Sequence, residues 1–119
     1  MAYQRVADLD DVAVGAALFV KLAEPVCVVR IDEQVVAAVH DTCSHEDYPL
    51  HEGWITAGQD AAGSEVECAL HGSTFNLGNG RALSLPAVKP IPVYAARIDD
   101  GGVWVDLDQQ LNDAPVPRH

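Results

Sequence analysis

Cys43-Ser44-His45-Glu46-Asp47-Tyr48-Pro49-Leu50 and Cys68-Ala69-Leu70-His71-Gly72-Ser73-Thr74-Phe75 stand apart from the rest of the chain in composition. The first holds a Cys-x-His pair and the second a Cys-x-x-His pair. The 22 residues between His45 and Cys68 are enough for a hairpin or two short strands. Each pair is expected on a turn at the end of a strand, so the two can face each other as loops at one tip. Thiolate and imidazole are the donors that suit iron or zinc at a mixed site.

Outward from these loops, the chain reads as short apolar runs separated by turn residues, an all-β pattern. Strands are expected at Ala17–Leu22, Val26–Ile31 and Val35–Val39, the last two joined through Asp32-Glu33-Gln34. Pro25 falls at a strand start, where a missing N–H is tolerated. Ile91–Ile98 and Val103–Leu107 form a second hairpin through Asp99-Asp100-Gly101-Gly102, a sequence with turn chemistry. Between them, from about 41 to 90, the chain is rich in His, Cys, Gly and Pro. Only short strands are expected there, at Glu65–Cys68 and Ser73–Leu77. This reads as a small loop-rich unit set into an antiparallel sandwich or barrel base, the whole forming one domain over 1–107. Residues 108–119, with Pro115 and Pro117, are expected to be a loosely ordered tail.

The bulk properties narrow the function. The chain has 119 residues, 49% hydrophobic and 21% charged, with a net charge of −11. That charge disfavours nucleic acid, which needs clustered Lys and Arg, and anionic membrane surfaces. It suits either a protein partner with a basic patch or solubility alone. The N-terminal stretch turns acidic at Asp8, Asp10 and Asp11 instead of entering an apolar run, so no secretory signal is read. The apolar stretch 12–29 is interrupted by Lys21, Glu24 and Pro25, so no membrane helix is expected there. Three cysteines, an odd and sparse number, argue for a reducing compartment, and the expected location is the cytoplasm. Cys27, mid-strand, reads as a buried inert thiol. His40 and His51 flank the first loop without partners at ligand spacing and read as supporting or surface residues.

The Cys/His order of the two pairs matches the arrangement in which two His replace two Cys on one iron of a [2Fe–2S] cluster. The segments quoted above, with Gly53, Gly80-Arg81-Ala82-Leu83, Leu85-Pro86-Ala87 and the hairpin Tyr94–Val105, resemble Rieske ferredoxins of bacterial aromatic-ring-hydroxylating dioxygenase systems. The resemblance spans nearly the whole chain. It implies the Rieske fold and one [2Fe–2S] cluster, with Cys43 and Cys68 on the inner iron and His45 and His71 on the outer, surface-facing iron. It also implies a non-catalytic one-electron carrier. Such a carrier takes electrons from an NAD(P)H-dependent ferredoxin reductase and passes them to a terminal oxygenase. The segment around Pro86 resembles the third loop that covers the cluster.

The chain departs from the high-potential respiratory branch. Leu70 stands where that branch has a disulfide Cys, and the first loop holds no Cys besides Cys43. Ser73 occupies the place of a hydroxyl donor to cluster sulfur, but Phe75 occupies the other. Glu46 and Asp47 add negative charge nearby. These features predict a potential toward the low end of the roughly −150 to +300 mV Rieske range. Gly72 is read as bringing an N–H toward a cluster sulfide. The link between Ile55 and Val66 is longer than is usual in the family and reads as a surface hairpin or loop. Two other readings remain open: a small subunit of a nitrite-reductase-like complex, and a structural zinc module.

Overall fold

The computed structural model describes residues 2–118. Nine strands form two antiparallel sheets: β1 (Gln4–Asp8), β2 (Ala17–Lys21), β3 (Pro25–Asp32), β4 (Val35–His40), β5 (Trp54–Thr56), β6 (Glu65–Glu67), β7 (Thr74–Asn76), β8 (Val93–Asp99) and β9 (Gly102–Gln110). The larger sheet has the order β1-β9-β8-β4-β3-β2, and the smaller one β5-β6-β7. The only helical turns among the described residues are three short 3-10 turns. The architecture is the expected all-β one, a barrel-like base carrying a second small sheet.

The run Val26-Cys27-Val28-Val29 is continuously apolar because β3 is covered on both faces. Alternation sends Val26 and Val28 to one side, against Ala38, Tyr94, Val103 and Val105. Cys27, Val29 and Ile31 go to the other, against Val39, Leu50, Val66, Phe75 and Leu77. This second cluster also contains Cys43 and Cys68, so one core fixes the base and both cysteine loops together.

The β8–β9 hairpin turns in two residues. Asp100 (φ 51°) and Gly101 (φ 69°) are both left-handed, the geometry that follows the twist of the paired strands. The 55–66 link is a hairpin, β5 pairing with β6 across a loop that holds one 3-10 turn at Ala61–Gly63.

Two strands lie outside the expected set. β1 pairs with β9 at the sheet edge but is largely exposed, so it carries little apolar pattern. β5 has only three residues and a weak inward face.

The tail expectation needs correction. β9 runs on to Gln110, and Leu111 N donates to Val93 O at 2.7 Å. The Asn112 side chain donates to Asn79 O (2.9 Å) and Ile91 O (2.8 Å) and accepts from Val93 N (3.0 Å). Gln110 Nε2 donates to Ala114 O at 2.7 Å, and Ala114 is buried. Side-chain-to-backbone hydrogen bonds order this segment, and apolar content does not register them. His119, also expected to be loose, lies outside the described residues.

Candidate metal centre

Register places the loops. Val39 of β4 pairs with Val93 of β8, and His40 N donates to Pro92 O at 2.9 Å. The chain therefore enters the first cysteine loop from β4 at the same sheet end where the segment after β7 returns to β8. The first loop is pinched shut by Cys43 N→Tyr48 O (3.0 Å) and Leu50 N→Asp41 O (2.6 Å). The second caps the β6–β7 hairpin and closes through Cys68 N→Ser73 O (2.7 Å). Gly53 lets the two loops nest, since a Cβ there would overlap the carbonyl oxygen of Glu67.

Segment 84–90 stitches both loops from above. Ala87 N donates to Ser73 Oγ (3.0 Å), and Ser44 Oγ donates to Lys89 O (2.7 Å). Ser84 Oγ accepts from Thr74 N at 3.0 Å. Ser73 is fully buried and keeps its hydroxyl hydrogen available to donate.

The four residues singled out by spacing converge. Cys43 and Cys68 are each 1% exposed, and their side chains lie within hydrogen-bonding reach of one another. The His45 and His71 rings lie edge to face at 5.6 Å, both exposed. The tip thus has a buried thiol side and an exposed imidazole side. Burial, and then the neighbouring Cys43, push the Cys68 thiol up, while the Leu70 and His71 backbone N–H groups pull it down. Two thiolates packed together away from water require a compensating positive charge. This donor set therefore fits a metal centre with soft ligands inside and nitrogen ligands outside.

Several flanking residues play parts that spacing did not reveal. Gly72 is left-handed (φ 78°), and its N–H donates to Cys68 O at 3.0 Å. That bond closes the turn, and within it the Leu70 and His71 N–H groups bond the Cys68 side chain. Asp41 is buried and accepts from His51 N (2.8 Å) and His51 Nδ1 (2.6 Å). Burial raises its carboxyl above the ordinary range, and the His51 bonds act against that. Asp41 and His51 thereby clasp the two ends of the first loop. The carboxylate of Glu46 lies within 4.8 Å of the His45 and His71 donor atoms. Cys27 is fully buried in β3, and burial drives its thiol far up.

His40 is buried with both ring nitrogens in use. Nδ1 accepts from Thr42 N (3.1 Å), so Nε2 carries the proton donated to Glu24 (3.0 Å). That bond holds the Glu24 carboxyl below its ordinary value. A depressed carboxyl stabilises the fold at neutral pH and loses the contribution as pH falls through its folded pKa. Glu24→Gln is expected to cost no more than about 1 kcal/mol, because the side chain is 27% exposed. It is also expected to flatten the acid limb of stability, which denaturant melts of both chains across the acid range will measure.

A family model, the Rieske [2Fe-2S] domain, matches residues 2–95. The chain belongs to the Rieske [2Fe–2S] family. Among relatives of this Rieske chain, the ferredoxin component of biphenyl 2,3-dioxygenase from Rhodococcus jostii is 34% identical over 109 residues, covering 91% of this chain and 95% of that one. The ferredoxin subunit of 3-phenylpropionate/cinnamic acid dioxygenase from Escherichia coli is 32% identical over 99 residues, covering 83% and 88%. Among solved structures, the ferredoxin of carbazole 1,9a-dioxygenase from Nocardioides aromaticivorans superposes with a TM-score of 0.79 at 30% identity, covering 88% and 97%. A chain from a complex of reduced oxygenase and oxidised ferredoxin in carbazole 1,9a-dioxygenase superposes at 0.78, with 28% identity, covering 91% and 94%. The Rieske chain therefore carries a [2Fe–2S] cluster of that type, as the sequence led us to expect.

Proposed function

We propose that this Rieske chain is the ferredoxin component of an aromatic-ring-hydroxylating dioxygenase system. Cys43, His45, Cys68 and His71 hold its cluster. It receives electrons singly from an NAD(P)H-dependent reductase and delivers them to a terminal oxygenase in the cytoplasm. The observation that carries this reading is the pairing of two touching, buried thiols with two exposed imidazoles at one loop tip. The relatives named above support the choice of partner system. Among the described residues no helix is long and apolar enough to cross a membrane.

When bound, the cluster supplies reversible one-electron chemistry. The chain's residues supply its setting. Cys43 and Cys68 bring negative charge into the core. The Leu70 and His71 N–H groups partly offset that charge at Cys68. His45 and His71 bring none while neutral, and their exposed edges form the face a redox partner must reach. Leu70 on the second loop, and Leu83, Leu85 and Val88 in the segment bonded to it, are exposed, giving a docking partner apolar surface.

The test is electron paramagnetic resonance of the dithionite-reduced protein, followed by single-turnover reduction of the system's oxygenase. A colourless chain with stoichiometric zinc would end the proposal. His45→Cys is expected to retain a cluster at a lower potential, because a thiolate adds a negative charge that the imidazole lacks. Redox titration showing no drop would refute that argument. Oxygenase reduction is expected to slow as ionic strength rises, since the net charge of −11 steers encounter. Stopped-flow traces over a salt series measure this.

A further inference from the structure

With seven Lys and Arg against eighteen Asp and Glu, a hollow flanked by two cations is unusual on this surface. One lies against the imidazole side of the tip. A cleft of about 370 Å³ opens beside His45, with Ser44, Lys89 and Pro90 on one side and segment 115–118 on the other. Lys89 is exposed and has no ion-pair partner among the described residues. The Arg118 side chain is 75% exposed and meets Glu24 only at 3.7 Å. Both cations can therefore take a further partner.

The cleft is a built feature. Ser44 Oγ fixes the Lys89 carbonyl, and the C-terminal segment hangs from the Asn112 and Gln110 hydrogen bonds described above. Pro90, Pro115 and Pro117 hold their φ angles, so the walls lose little freedom when the cleft is filled. Glu46 and Asp47, both exposed, follow directly on the same loop. The sign of charge thus reverses across His45.

We infer that this cleft receives a carboxylate side chain of the electron-accepting protein partner, so that the C-terminal segment helps to select that partner and its orientation. The inference rests on the proposed function. A pair of cations in a strongly acidic molecule suits a single carboxylate, whereas a polyanion such as nucleic acid would be repelled by the rest of the surface. A partner presenting an acid to the cleft and a base to Glu46 and Asp47 matches the tip in one orientation and meets like charge in the reverse one.

The test compares cluster-loaded Lys89→Glu/Arg118→Glu with Arg97→Glu/Arg81→Glu, an equal charge change at exposed arginines that do not line the cleft. The affinity for the system's terminal oxygenase is measured by calorimetry at low salt. Paramagnetic resonance and midpoint potential report that the centre is intact. The cleft variant is expected to bind roughly tenfold or more weakly than the control variant, with its resonance unchanged. Lys89→Gln/Arg118→Gln is expected to fall between it and the parent. Equal affinities for the cleft and control variants would overturn the inference and leave the electron-carrier reading standing. Malonate serves as a free-anion probe. If it binds the parent without weakening the oxygenase complex, the cleft is a small-anion site and the inference is likewise overturned. An unmodified, cluster-loaded chain that neither binds nor reduces the oxygenase would remove both readings together.

Discussion

Cys68→Ala is expected to fold yet lose its visible absorbance, its reduced-state paramagnetic signal and nearly all of its iron and acid-labile sulfide. The Cys68 thiol is 1% exposed and lies against Cys43, so water cannot readily replace the missing ligand. Removing it leaves one thiolate and two imidazoles, too few donors for a two-iron centre. Cys27→Ala is the control. Cys27 is as deeply buried but stands in mid-strand on β3, so its loss is expected to cost stability of about 1 kcal/mol while leaving the iron content intact. Full iron loading in Cys68→Ala, or loss of iron in Cys27→Ala, would contradict the ligand set proposed here.

Phe75→Ala is expected to destabilise the protein by about 3–5 kcal/mol, a large share of the 5–15 kcal/mol typical of a single domain. Phe75 is fully buried on β7, opposite Val66, in the core that also contains Leu50, Cys43 and Cys68. Truncation would open a cavity between the base and the small sheet. The midpoint of thermal unfolding is expected to fall by the order of 10 °C or more. The cluster is expected to be lost during the same transition, because one core holds both loops. Phe75→Leu preserves most of the volume and is expected to cost markedly less. Calorimetry together with visible absorbance during heating checks both statements. An Ala variant melting within a few degrees of the parent would show that this core is not what joins the two sheets.

Much of the base was readable from local pattern. β2, β3, β4 and β8 fall within two residues of their expected ends, because β-branched runs and turn residues report strands wherever a face is strongly buried. β1 and β5 escaped because they are short or exposed strands whose place is set by a partner rather than by their own apolar residues. The order of 111–118 escaped for a related reason. Asn112 fixes that segment through backbone groups at 79, 91 and 93, and a polar residue followed by prolines looks the same in a docked segment as in a loose one. At the centre, the sequence pointed to the four donor residues. It did not point to Asp41 as the clasp on His51, nor to Leu70 and His71 as the source of N–H groups near Cys68.

The sequence by itself determined the donor types, their spacing, the alternation that builds the strands and the acidic balance of the surface. All of these are properties of neighbouring residues or of composition. Only the tertiary structure decided that Cys43 lies against Cys68, that His45 faces His71, and that Ser44 reaches the Lys89 carbonyl 45 positions away. Such meetings depend on how the shared apolar core packs the two sheets together, and no short-range pattern along the chain encodes that packing.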